Sequence, residues 1–166
     1  MRAGFAVRLG ILDQAIDRVE RRVAALAPDE LRSPASGRWG PLAIVEHLVL
    51  VHEGTAHVLD RAGSAAPSDR QASWWRPGVL TFVLRSRIRI RAPTARILPS
   101  ADPPPLQALT ERWGAAQGSL RQSVAGKSRG WPDGLVFRHP LAGWLDVAET
   151  LQFLLDHIGH HERQLP

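Results

Sequence analysis

The sequence has no cysteine and no tyrosine. Without cysteine there can be no disulfide, no thiolate-held zinc, no iron–sulfur cluster and no thiol nucleophile, so any thiol chemistry has to arrive with a substrate. Lysine is almost absent as well: of the 21 basic residues only Lys127 is not arginine. Little therefore titrates between the histidines and the arginines, and the pI of about 11.3 drifts towards the arginine value. The formal charge of +5 is the more useful figure, and it suits an anion binder and an ordinary globular protein equally. A long apolar run is also lacking. The best stretch, Pro41 to Val51, is interrupted by Glu46 and His47 and falls short of the roughly 18 residues that a bilayer span needs, so no membrane association is expected. The amino-terminal residues lead into an amphipathic pattern and show no small-residue cleavage site, which makes a cytoplasmic location the expectation. Neither a phosphate-binding glycine loop nor a Ser-His-Asp spacing occurs, which disfavours nucleotide binding and serine hydrolysis.

What is present is ordinary globular composition, 44% hydrophobic and 22% charged over 166 residues, enough for one core and a single domain spanning residues 1–166. From Phe5 to Leu26 the residues Leu9, Leu12, Ile16, Val19, Val23 and Leu26 recur every three or four positions, the period of one helical face. Pro28 closes that helix. Gly40 and Pro41 suit the cap and first turn of a second helix running to about Leu59, with Trp39 placed to staple onto Ile44. Trp74 to Ile90 is read mainly as helix. The Pro-rich passage from Pro93 to Pro105 excludes regular hydrogen-bonded structure, Leu106 to Val124 reads as a further helix, and Gly126 to Gly143 reads as loop. Asp146 and Glu149 have capping-box spacing and open a last helix. The expected fold is an all-α four-helix bundle with long connections.

Chemistry concentrates in the histidines. On a helical wheel of the last helix Val147, Leu151, Leu154, Ile158 and Leu165 define a buried face, and His157 and His161, one turn apart, lie on or beside it. Two imidazoles at i and i+4 can reach one metal ion. His160 falls about 120° away and is expected on the solvated surface, as is His57. A catalytic metal needs a third protein ligand from a neighbouring helix. The second helix offers His52, well inside its apolar face, and His47, at the margin. The wheel slightly favours His52. His139, beside Pro140, is expected to serve a turn.

The block RWGPLAIVEHLVLVHEG, together with HPLAGWLDVAETLQFLLDHIGHHERQL at the end, resembles the DinB-like superfamily, which includes bacterial thiol transferases acting with bacillithiol or mycothiol. The resemblance implies a four-helix bundle, usually a homodimer, holding one divalent metal on a histidine of the second helix and an HxxxH pair of the last. The matching positions are His47 in the EHL element and His157 and His161 in DHIGHHERQL. On the first ligand the pattern and the wheel disagree, and the pattern is followed. Three imidazoles suit Zn²⁺, Ni²⁺ or Fe²⁺ alike. The expected function is that of a divalent-metal-dependent enzyme acting on a small molecule, either a low-molecular-weight thiol S-transferase or a hydrolase. The alternative is a non-catalytic metal-binding or protein-interaction bundle. Glu46, Asp156 and Gln164 are the nearest candidates to support the ligands from behind.

Arg85, Arg87, Arg89, Arg91 and Arg96 form the one dense basic stretch. A helix would scatter them around its circumference, so nucleic-acid binding is disfavoured. The six tryptophans are read as core or interface anchors, with Trp131 and Trp144 flanking the loop before the last helix and expected to wall a pocket above the metal.

Overall fold

Leu9, Leu12, Ile16, Val19 and Val23 lie on one stripe of helix α1 (Ala3–Ala24), and all five are buried. In a computed structural model of the chain, which describes residues 3–33, 39–61, 95–127, 134–140 and 142–166, that stripe packs mainly against the last helix and against helix α3 (Leu106–Lys127). The helix stops at Ala24, four residues before Pro28, and the turn beyond it is closed by Glu30, whose carboxylate accepts from the Ala27 amide at 2.9 Å. The segment Trp74 to Ile90, expected as helix, lies outside the described residues, as do Arg85 to Arg91, Trp74, Trp75 and Trp131.

Helix α2 (Pro41–Arg61) is largely buried and packs chiefly on α3. Its start is set by Gly40. A Cβ there would come within 2.8 Å of the Arg32 carbonyl oxygen and 2.9 Å of its carbon, so only glycine lets the chain pass this close to the preceding turn. The Leu42 amide then donates to the Leu31 carbonyl at 3.0 Å, fixing where α2 begins relative to the end of α1. By length and composition α2 is the one helix among the described residues that could cross a membrane, with a mean hydropathy of 1.2, but 67% of that window is buried inside the protein. That burial is what a central core helix requires.

The last helix, α4 (Val147–Glu162), opens as its sequence indicates. Asp146 accepts from the Glu149 amide at 2.8 Å while the Glu149 carboxylate accepts from the Asp146 amide at 2.9 Å, satisfying two otherwise orphaned donors. At its far end Arg22 of α1 donates to the carbonyls of Glu162, Leu165 and Pro166 at 3.3, 3.0 and 2.7 Å. This cation answers the partial negative charge of a helix carboxyl end.

Two expectations are corrected before α4. The stretch read as loop contains an antiparallel hairpin, β1 (Phe137–His139) and β2 (Gly143–Leu145), in which Phe137 faces Leu145 and His139 faces Gly143. Strands of three residues leave no periodicity to read. Gly143 turns the chain at φ 77, in the left-handed region. The Pro-rich passage likewise holds one 3-10 turn, Ala95–Ile97, which packs on α2. Four helices and this one hairpin make the described residues an all-α bundle with a core of Leu, Val and Ile side chains around the fully buried Trp113.

Candidate metal centre

His47 lies on the second turn of α2, and the period of that helix turns it towards α4. From α4, His157 and His161 reach the same point, so the ring centroids of the three imidazoles stand 4.7 to 5.1 Å apart in an edge-to-face triangle. One ligand nitrogen from each lies within 4.8 Å of the others, and this is a group that could hold a metal ion. All three residues are buried, at 3, 9 and 8% exposure respectively.

The protons on these rings are assigned by their outer partners. His47 Nδ1 lies 2.6 Å from the Ile97 carbonyl oxygen. A carbonyl only accepts, so Nδ1 carries the hydrogen and Nε2 keeps its lone pair. That lone pair faces Nε2 of His157 at 3.3 Å, and two imidazole nitrogens sharing a tetrahedral metal at 2.0–2.1 Å stand about 3.3 Å apart. His161 donates from Nδ1 to the Gln164 side-chain oxygen at 3.2 Å, again leaving Nε2 for the centre. Support from behind of this kind is what metal-binding histidines commonly have. The donor set therefore fits a divalent metal held by three neutral imidazoles.

Electrostatics keep them neutral. Burial lowers the pKa of His47, opposed by its bond to Ile97. Burial, reinforced by the neighbouring histidines, pushes His157 well below its ordinary value. His161 is pushed down to about 3 by burial and then by His47 and His160, against the pull of Gln164. Protonating one imidazole here would place a charge in a poorly hydrated pocket among other bases.

The structure does not bring His52 to this cluster. Trp113 donates from Nε1 to His52 Nδ1 at 3.3 Å, and His52 Nε2 donates to the Gln117 side-chain oxygen at 2.9 Å. Gln117 donates in turn to Asp13 at 2.7 Å, and Arg121 holds the other Asp13 oxygen at 2.6 Å. His52 lies on the apolar face, as its wheel position indicates, but turned towards α1 and α3. Burial lowers its pKa to about 4.

Other positions are redistributed. His160 is a correction: it is buried, 9% exposed, with its ring 5.1 Å from that of His161, because neighbouring structure covers a sector of α4 that a wheel assigns to solvent. His57 is exposed, as expected. His139 is buried in β1, where its Nδ1 accepts the Ala142 amide at 3.1 Å, closing the hairpin turn. Its ring stands 4.7 Å from Phe153, which is itself 5.5 Å from His157. Trp39, expected to staple the helix start, has its ring 4.9 Å from that of His47 and 6.3 Å from that of His161. Trp144, expected in a pocket wall, is 40% exposed. Of the expected supporting residues Gln164 contacts the His161 ring, and Glu46 binds Ser100. The main supporting group that the sequence hides is the Ile97 carbonyl, since a backbone acceptor has no residue-type signature.

A helical bundle with three clustered imidazoles between its second and last helices defines a class of protein, and the comparison of the whole chain with family models agrees with it. The model of the DinB superfamily matches residues 11–165, and the chain belongs to that superfamily. No curated protein and no solved structure matches the chain.

Proposed function

We propose that the chain is a divalent-metal-dependent enzyme of the DinB superfamily, with His47, His157 and His161 as its ligands, acting on a small molecule. The observation that carries this reading is the convergence of three buried imidazole nitrogens within 4.8 Å, two of the rings having their outer nitrogens bonded to oxygen acceptors. When bound, a divalent metal supplies the Lewis acidity that activates a water or a thiol near neutral pH. Zn²⁺, Ni²⁺ and Fe²⁺ all accept such a donor set.

The chain's own residues do the rest. Ile97 and Gln164 hold the ligand rings in one tautomer. Trp39 and Phe153 flank the cluster with aromatic surface, which limits water and favours an apolar portion of a substrate. The chain has no cysteine, so thiol transfer would draw its thiol from a low-molecular-weight cosubstrate, and hydrolysis would draw on water. The near-complete burial of the imidazoles supports a second reading, in which the metal ties α2 to α4 and performs no chemistry.

Elemental analysis of untagged protein, followed by assay of a model electrophile with and without a panel of small thiols, tests both. One metal per chain with metal-dependent, thiol-dependent turnover supports the transferase, and turnover without thiol supports the hydrolase. A stoichiometric metal with unchanged inactivity across the panel favours the structural reading. Absence of metal after reconstitution with Zn²⁺, Ni²⁺ and Fe²⁺ removes both.

A further inference from the structure

Adjacent residues of α2 grip one segment of chain. The buried Glu46 carboxylate, 6% exposed, accepts through Oε2 from both the amide and the hydroxyl of Ser100, at 2.8 and 2.9 Å. Its neighbour His47 donates from Nδ1 to the carbonyl of Ile97, three residues earlier in the same segment, at 2.6 Å. The first grip closes the 3-10 turn Ala95–Ile97, only Leu98 and Pro99 separate it from the second, and the Ile97 side chain packs against the core. A second tie, the ion pair of Arg32 with Asp102, joins the segment to the α1–α2 connection. That pair is exposed at both ends and contributes little. A buried carboxylate accepting two hydrogen bonds is a much firmer anchor.

We infer that Glu46 is a positioning residue for the metal centre: by holding Ser100 it fixes the strap of residues 95–102, whose Ile97 carbonyl sets the tautomer and ring orientation of His47. The role rests on the reading of His47 as a ligand, but its first effect is on the imidazole itself. An unheld strap lets the Ile97 carbonyl leave Nδ1. The His47 proton then redistributes between the two ring nitrogens, and part of the population presents an N–H to the centre in place of a lone pair. Sequence adjacency gives the arrangement its economy, because residues 46 and 47 project about 100° apart on the helix and so reach two points of the same strap.

The test compares Glu46→Leu, which keeps bulk and removes both acceptors, with Glu46→Gln, whose amide oxygen can still accept from Ser100. Ser100→Pro removes both donors at an exposed position and serves if Glu46→Leu does not fold. Two readouts are taken. Nitrogen-15 NMR of the metal-free chain reports the His47 tautomer, and titration with Zn²⁺ reports affinity and stoichiometry. Glu46→Leu and Ser100→Pro are expected to shift His47 from the Nδ1–H form to a mixture and to weaken Zn²⁺ binding by roughly 10–100-fold at one ion per chain, with Glu46→Gln close to the wild type in both. Unchanged tautomer in folded Glu46→Leu and Ser100→Pro overturns the inference. Equal loss of Zn²⁺ in Glu46→Gln and Glu46→Leu also overturns it, because the carboxylate charge would then be acting on the ion directly. A tautomer shift in a chain that binds no Zn²⁺ in any form sustains the positioning role and defeats the metal reading alone.

Discussion

At the scale of single residues, the three imidazoles of the candidate centre have unequal neighbours, and substitutions there separate ligands from bystanders. His157→Ala and His161→Ala are each expected to abolish stoichiometric metal binding in isothermal titration, while His160→Ala retains one ion per chain with a modest change in affinity. Equal loss at His160 would mean that the fourth imidazole, 5.1 Å from His161, enters the ligand set. His52 supplies a prediction of another kind. Its pKa falls to about 4 in the folded chain from about 6.5 when unfolded. Between these values the unfolded chain binds the extra proton, so the stability that neutral His52 contributes is complete above pH 6.5 and is lost as the pH falls towards 4. Urea unfolding from pH 7 to 4.5 should show this as a slope of up to about 1.4 kcal/mol per pH unit from this group. In His52→Gln that component should vanish, so an unchanged slope would assign the loss to other histidines.

At the scale of elements, α2 is placed by a contact that only glycine permits. Gly40→Ala forces a methyl group into the Arg32 backbone and is expected to cost about 1–3 kcal/mol in chemical unfolding. It should also weaken metal binding, because His47 lies two turns along the helix whose start is displaced. Asp146→Ala removes one half of the capping box and is expected to cost about 0.5–2 kcal/mol, with no effect on metal stoichiometry. Both elements could be read in advance. The starts of α2 and α4 follow from Gly40-Pro41 and from Asp146 and Glu149, because caps are local chemistry carried by residue type. The buried stripes of α1 and α4 follow from their 3.6-residue period. The hairpin at Phe137 to Leu145 could not be read, since its two strands are held by tertiary packing against α2 and α4. The rotation of α2 was legible only to within a residue's uncertainty: both His47 and His52 are buried, and which of them meets α4 depends on where the partner helices lie. His160 escaped for the same reason, as a wheel describes one helix and not what covers it.

At the scale of the whole molecule, His47 from α2 and the two histidines from α4 join helices that otherwise share far less contact than α2 shares with α3. A bound ion would therefore stabilise the fold as well as serve the site. With Zn²⁺ at about 100 times its dissociation constant the gain is about 2.7 kcal/mol. Chelation should lower the Tm of wild-type protein by several degrees and leave that of His157→Ala unchanged. Equal shifts in both would show that the chelator acts elsewhere. The chain of donors from Trp113 through His52 and Gln117 to Asp13 has a further consequence. Tryptophan can only donate and an ionised carboxylate can only accept, so every hydrogen in the chain has one permitted direction and no second arrangement of equal energy exists. Its Trp113 indole and His52 imidazole hydrogens are thus locked between α1, α2 and α3, and solvent deuterium can replace them only when those three helices part. Their exchange rates should match those of the slowest backbone amides, which makes two side-chain protons a clock for the opening of the entire bundle.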